Sequence, residues 1–163
     1  MMVQQSGFRR IATSPYLAVA FRLYLGFVFI YASMYKISYT AEFAENIASY
    51  QILPYWGVNL FAIIMAWTEL ICGTLLVVGV RSKAALLMIA GMLVMFATAI
   101  SLSLVRGVPI GCGCFHSLEE PMTWTTLLRD LVWLAIARHV YLFDSALQLE
   151  RYFQLNIKDD PVE

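Results

Sequence analysis

Two cysteines separated by one glycine are the densest chemistry in the chain. Cys112 and Cys114 lie within residues 111–116, whose sequence is GCGCFH. A disulfide needs Cα atoms about 4.4–6.8 Å apart and Cβ atoms that face each other, so cysteines this close in sequence pair only with local distortion. The intervening glycine lowers the cost of that distortion. Because a strained disulfide is more easily reduced, the spacing favours electron exchange over permanent cross-linking.

Other roles for this pair stay open. The cysteines could form a structural disulfide, remain inert thiols or bind Cu(I), for which thiolates are soft ligands. His116 could join them in a copper site, and Met88, Met92 and Met95 share a helical face that could extend it. Methionine stripes are more often adaptable packing, so no metal is predicted. His116 could equally lower a thiol pKa, and the sequence does not decide its role.

The composition is typical of a membrane protein. Of the 163 residues, 61% are hydrophobic and 13% are charged, whereas a soluble domain is nearer half apolar and a quarter charged. One soluble core cannot bury this much apolar surface, so most of the chain is predicted to contact a lipid bilayer. The net formal charge is zero and no basic block is present, which argues against nucleic-acid binding. Three cysteines are too few for a disulfide-rich secreted fold.

Four apolar segments have the length of membrane spans, since a helix needs about 20 residues to cross a hydrocarbon core of ~30 Å. They cover residues 16–35, 58–80, 84–105 and 124–143. The predicted fold is all-α, an integral membrane antiparallel four-helix bundle. This domain covers residues 16–143, between a polar N-terminal segment (1–15) and a polar tail (144–163).

An amphipathic segment follows the first span. Within residues 40–50, one helical face is apolar and another is polar. The apolar face has Phe43, Ile47 and Tyr50, and the polar face has Glu42, Glu45, Asn46 and Ser49. This pattern predicts a short helix that lies at the membrane interface and does not span it.

The distribution of basic residues predicts the orientation. With four spans, the side that holds both termini collects most of them: Arg9, Arg10, Arg81, Lys83, Arg138, Arg151 and Lys158. The other side has Lys36 and Arg106, with Arg129 just inside the fourth span. The positive-inside rule therefore places both termini in the cytoplasm of a bacterium and the cysteine loop and interfacial helix in the periplasm. Disulfides form and persist in that compartment.

Charged residues inside spans are costly unless they are paired or hydrated. Arg22 lies in the first span and Glu69 in the second, where Glu69 shares a face with small residues that allow close helix approach. We expect a buried ion pair between Arg22 and Glu69 that fixes helix register, and a proton path serving quinone chemistry is the alternative. Cys72, deep in the second span, is expected to be a small buried hydrophobe.

Two residues at the start of the fourth span lie next to the cysteine loop in sequence. Arg129 could stabilise a thiolate or a reduced quinone oxygen, or it could be a helix-end charge whose head reaches the interface. Trp124 could stack on a quinone ring or anchor the helix at the interface. Arg129 with the two cysteines forms the candidate catalytic set, and Trp124 with Arg129 the candidate quinone site.

These residues together resemble the MauE/DoxX family of small four-helix membrane proteins. The Cys-Gly-Cys-Phe segment with the downstream Trp and Leu-Leu-Arg is the most specific part of the resemblance. The positions that carry it are Arg22 to Gly26, Lys36, Phe43, Tyr50, Leu53, Pro54, Glu69, Gly73, Gly79, Arg81, Cys112 to Phe115, Pro121, Trp124, Leu128, Arg129 and Asp130. His116 stands where a small residue would be expected, so the resemblance implies no role for it.

The resemblance implies an accessory role in the bacterial inner membrane. MauE-like proteins are associated with maturation of a disulfide-rich periplasmic methylamine dehydrogenase, and DoxX-like proteins with thiol and sulfur oxidoreduction. The resulting hypothesis is a thiol–disulfide oxidoreductase whose cysteine pair exchanges electrons between a periplasmic thioredoxin-like partner or client protein and a membrane quinone. A non-catalytic membrane scaffold of a sulfur or thiol oxidoreductase complex is the main alternative. A Cu(I)-handling protein is another alternative. The sequence indicates neither the client nor the oligomeric state.

Overall fold

The computed structural model describes residues 15–106, with the exception of Ile52, and residues 124–143. The N-terminal segment, the cysteine loop and the C-terminal tail lie outside the described residues. Every regular element in the described part is a helix. These helices are α1 (Pro15–Ser38), α2 (Thr40–Ser49), α3 (Tyr55–Val78), α4 (Ser82–Arg106) and α5 (Trp124–Phe143).

Three of the described helices, α1, α3 and α4, are long and apolar enough to cross a membrane. The α1 and α3 helices have 24 residues each, or about 36 Å at 1.5 Å per residue. Large apolar side chains such as Phe27, Trp67 and Leu87 are exposed on their outer surfaces, as expected where lipid is the solvent. The chain is therefore a multi-pass membrane protein. The α5 helix, which carries Arg129, Asp130 and Arg138, is not among these three spans.

The closest helix pairing joins α1 to α3 through two glycines. A Cβ atom added at Gly73 would lie 3.0 Å from the Gly26 carbonyl oxygen, and one added at Gly26 would lie 3.0 Å from the Gly73 carbonyl oxygen. Contacts this short leave no room for a side chain, so the glycines let the two backbones touch. The predicted small-residue face of α3 is confirmed, since Ala62 and Ala66 are also buried.

The remaining helices pack around this pair. The α3 helix packs against α2, and α5 packs against both α1 and α4. The α3 helix ends at Gly79, which has φ 81° and whose N–H donates to the Leu75 carbonyl at 2.9 Å. This left-handed residue is a common helix terminator and turns the chain into α4.

The helix over residues 40–49 has the predicted apolar face. Phe43, Ile47 and Tyr50 are buried, whereas Glu42 and Glu45 are exposed. The buried face contacts α3 and the core of the described part of the chain. Its position relative to a membrane interface stays a prediction.

The predicted spans agree with the observed helices to within three residues. Residues 16–35 fall within α1, 84–105 within α4, and 124–143 coincide with α5. The predicted segment 58–80 begins three residues later than the helix, since α3 covers Tyr55–Val78. Pro54 precedes α3 and has extended backbone, and proline at a helix start requires no backbone hydrogen bond.

Candidate functional site

A buried ion pair joins α1 to α3. The Lys36 Nζ donates to Glu69 Oε1 at 2.5 Å, and the two side chains are only 3% and 2% exposed. Two aromatic rings also contact the ammonium group, with Nζ 5.0 Å from the centroid of Phe43 and 4.8 Å from that of Phe96. Cation–π contacts of this length stabilise a desolvated cation. Lys36 is thus held by groups from α2, α3 and α4.

The expected pair between Arg22 and Glu69 is wrong, because Glu69 is paired with Lys36. Arg22 is buried in α1, but it precedes Lys36 by 14 residues, or about 21 Å along a helix. The antiparallel pairing that brings Gly26 to Gly73 and Lys36 to Glu69 places Arg22 near the other end of α3. The expectation that Glu69 is paired is confirmed. Its partner is Lys36 and not Arg22, because of how far α1 is shifted along α3.

A second carboxylate lies beside this pair. Asp130 of α5 is 3% exposed, and it lines the same small cavity as Lys36 and Glu69. The cavity has a volume of about 30 Å³. Its remaining wall is apolar and aromatic: Val28, Phe29, Ala32, Leu93, Phe96 and Trp133. Three ionisable side chains from three helices therefore face one small cavity.

Arg129 connects this cluster to the outer surface of α5. Its Nη2 lies 3.6 Å from Asp130 Oδ1, and its guanidinium carbon lies 4.8 Å from the centroid of the Trp133 ring. The Arg129 side chain is 34% exposed. Arg129 is therefore a partly exposed cation whose neighbours, Asp130 and Trp133, face the cavity.

Trp124 and Arg129 occupy the first two turns of α5 but different sides of it. At about 100° per residue, five residues separate two side chains by roughly 140° around the axis. Trp124 is 71% exposed, and Trp133 is the ring beneath the Arg129 guanidinium. The two side chains therefore do not face each other across one surface of the helix, and a quinone site beside them stays a prediction.

The cysteine pair itself lies outside the described residues. Cys112, Cys114 and His116 belong to the connection between α4, which ends at Arg106, and α5, which begins at Trp124. Cys72 is confirmed as a buried residue of the apolar core. Within residues 15–106 (without Ile52) and 124–143, no group of three His, Cys, Asp or Glu residues is placed to hold a metal. The copper alternative, which needs Cys112, Cys114 and His116, stays a prediction.

The cluster contains two residues whose place in it the sequence did not reveal. Lys36 follows the predicted first span, and Asp130 stands beside Arg129 in the predicted fourth span. One signal was available. Lys36 lies seven residues before Phe43, or about two helical turns, so it shares a helical face with the apolar residues of α2. Asp130, adjacent to an arginine, gave no comparable signal.

Comparison with known sequences assigns the family. A family model described as "Methylamine utilisation protein MauE" matches residues 14–143, which include the cluster and the cysteine pair. The chain belongs to the MauE family. Its similarity to curated relatives of that name extends along most of the chain.

Three relatives illustrate this similarity for the MauE-family chain. The methylamine utilization protein MauE of Paracoccus denitrificans is 30% identical over 125 residues, 76% of this chain and 67% of the relative. The one from Methylophilus methylotrophus is 30% identical over 141 residues, which are 86% of this chain and 73% of the relative. The one from Methylorubrum extorquens is 26% identical over 122 residues, which are 74% of this chain and 66% of the relative. No solved structure matches the chain.

Proposed function

We propose that this MauE-family chain is a membrane thiol–disulfide redox accessory protein of methylamine utilisation. Cys112 and Cys114 exchange a disulfide with a periplasmic thioredoxin-like partner or a client that resembles methylamine dehydrogenase. The main support for this proposal is the position of the pair in the sequence, in the connection that precedes Trp124 and Arg129 of α5. Arg129 is partly exposed and contacts Asp130, which belongs to the buried charge cluster.

The proposed reaction balances two electrons and two protons. A thiolate of the reduced client attacks the Cys112–Cys114 disulfide, and a mixed disulfide forms while one cysteine leaves as thiolate. The second client thiolate then attacks the mixed disulfide, which leaves the client oxidised and Cys112 and Cys114 reduced. Reoxidation of the pair transfers two electrons and two protons to a quinone, which becomes a quinol.

The α5 residues have defined roles in this proposal. Arg129 stabilises the thiolate or the negative oxygen of the reduced quinone through its positive charge. Trp124 offers an exposed aromatic face on which the ring stacks. The quinone supplies the electron sink, and the protein supplies its position beside the first two turns of α5.

The proposal includes a topology in which α5 is a fourth span. Both termini then lie in the cytoplasm, and the connection that holds the cysteines lies in the periplasm of the inner membrane. The α2 helix lies at the periplasmic interface with its buried face on α3. Support comes from α5 itself, whose 20 residues match the thickness of a hydrocarbon core.

The decisive experiment compares cysteine variants in cells that make a disulfide-containing client. C112S and C114S are each expected to abolish client disulfide formation that depends on this protein. One of them should also trap a mixed disulfide that reductant releases. C72S is the matched control, because Cys72 is buried in the core and takes no part in exchange.

Two outcomes would contradict the proposal. If C114S leaves client disulfide formation unchanged, the relay is wrong. If the C112S/C114S double variant still co-purifies with its partner and supports full activity, the protein is a non-catalytic subunit.

A further inference from the structure

Only one of the two carboxylate oxygens of Glu69 has a hydrogen-bond partner among the described residues. Oε1 accepts from Lys36, but Oε2 is buried and has no hydrogen-bond partner among the described residues. The side chain is 2% exposed, so bulk water does not reach it. A buried acceptor without a donor costs about 1–3 kcal/mol, and more when it is charged. Among the described residues no side chain or backbone group supplies the donor that this oxygen needs.

The cavity beside Glu69 has the size and the lining for such a donor. A water molecule requires roughly 10–15 Å³ of accessible volume and two to four polar partners. The cavity has about 30 Å³, and Glu69, Lys36 and Asp130 all line it. Its other described walls are apolar or aromatic, so these three side chains form the charged part of the lining.

We propose that this cavity binds one water molecule, and that Glu69, Asp130 and the water form a proton-transfer site inside the bundle. The water donates to Glu69 Oε2 and contacts Asp130, so a proton can pass between two carboxylates on different helices. Lys36 holds Glu69 in place and balances its charge. Ionisable groups enclosed within a membrane bundle commonly serve such relays.

A purely structural role for the Lys36–Glu69 pair does not explain why Asp130 and a cavity lie beside it. A single Lys36–Glu69 pair would be enough to fix the register of α1 against α3. A third buried charge and an adjoining cavity add desolvation cost without adding to that register. Both are expected in a relay, because the proton needs an acceptor on each side of a water.

The site also has a route toward the surface. Asp130 contacts Arg129, which is partly exposed, and Asp130 lies six residues into α5, or about 9 Å from its start. The role in redox chemistry rests on the proposed function. There, forming the Cys112–Cys114 disulfide releases two protons, and reducing a quinone consumes two.

The first test reads the water directly and does not require activity. Infrared difference spectra of the full chain in lipid nanodiscs are recorded in ordinary, deuterated and heavy-oxygen water. The wild type should show an internal-water stretching band that shifts with heavy-oxygen water. E69Q and D130N, which preserve side-chain size, should lose or displace that band. S33A is the matched control, since Ser33 is buried on α1 and donates to the Ile30 carbonyl outside the cavity.

The second test reads the proton transfer. In quinone-dependent client oxidation, E69Q and D130N should slow turnover on the order of 10²-fold, as for loss of a general acid or base. The wild-type solvent deuterium isotope effect should change in both variants. S33A should retain wild-type turnover. Far-UV circular dichroism and thermal unfolding are measured for each variant to confirm folding.

The outcomes separate this proposal from the proposed function. An absent water band in the folded wild type overturns the hydrated site. If the wild type shows the water band but folded E69Q and D130N turn over at the wild-type rate, the proton relay is wrong. If the band is present and responds to both substitutions, but cysteine variants leave client oxidation unchanged, the proposed function fails while the hydrated carboxylate site stands.

Discussion

Removing one partner of the Lys36–Glu69 pair should destabilise the protein far more than removing both. Breaking a buried pair leaves an uncompensated charge and costs about 3–5 kcal/mol, whereas replacing both partners by apolar residues of similar volume is often neutral or stabilising. This pair has the required burial, with side chains 3% and 2% exposed. Methionine has nearly the length of both side chains, so K36M, E69M and K36M/E69M test the pair with little change in packing.

The structure predicts that the two single variants differ. In K36M, Glu69 and Asp130 still line one cavity but the lysine charge that balances them is removed, so a loss near the top of the ~3–5 kcal/mol range is expected. In E69M, Lys36 keeps Phe43, Phe96 and the Asp130 carboxylate as neighbours. Its loss should therefore lie at or below about 3 kcal/mol.

The assay is equilibrium unfolding in mixed detergent micelles, followed by circular dichroism at neutral pH. The double variant should recover to within about 1 kcal/mol of the wild type. Its quinone-dependent turnover should stay slow, on the order of 10²-fold below the wild type, because the relay has lost a carboxylate. Single-variant losses that simply add in the double variant would refute the ion-pair account, and so would single losses below about 1 kcal/mol.

Three further predictions concern packing. G73A should cost about 1–3 kcal/mol in the same assay, because its Cβ would lie 3.0 Å from the Gly26 carbonyl oxygen. G91A should be neutral or stabilising, since nothing lies within 4 Å of its Cβ. An equal loss in both would contradict the close helix approach. F96L should cost about 0.5–2 kcal/mol by removing a ring from Lys36, and the effect should vanish in a K36M background. The buried face of α2 is tested by I47A, which should lower the free energy of unfolding by about 2–5 kcal/mol, and by the exposed control E45A, which should lower it by less than about 0.5 kcal/mol. The reverse order would show that this face is not packed.

Hydropathy was sufficient to predict the helices because burial in lipid depends mainly on apolar length. The apolar segments predicted at residues 16–35, 84–105 and 124–143 and the amphipathic segment at 40–50 all coincide with helices, and the membrane crossing by residues 124–143 stays a prediction. The pattern of small residues around Glu69 also predicted correctly which face of α3 packs against another helix.

The partner of Glu69 could not be predicted in the same way. Two basic residues of the first helix were available, Arg22 and Lys36, and the choice depends on how far α1 is shifted along α3. That shift is set by the contact of Gly26 with Gly73, which joins residues 47 positions apart in the sequence. Local periodicity contains no information about such an offset.

The inward position of Asp130 shows a second limit. It follows Arg129 directly, and adjacent residues on a helix point about 100° apart, so one can face the bundle while the other reaches the surface. Which of the two is buried depends on the rotation of α5 about its axis. That rotation is set by packing against α1 and α4.

Thiol labelling of the cysteine pair tests the central claim most directly. Intact cells expressing a C72S variant are treated with a membrane-impermeant maleimide before and after mild reduction. We expect no labelling of Cys112 and Cys114 before reduction and labelling from outside after it. In a parallel sample that is reduced and then reoxidised by a quinone before the maleimide is added, the pair should again escape labelling. Labelling only after the inner membrane is permeabilised, or labelling unaffected by reductant and quinone, would contradict a redox-active pair on the periplasmic side.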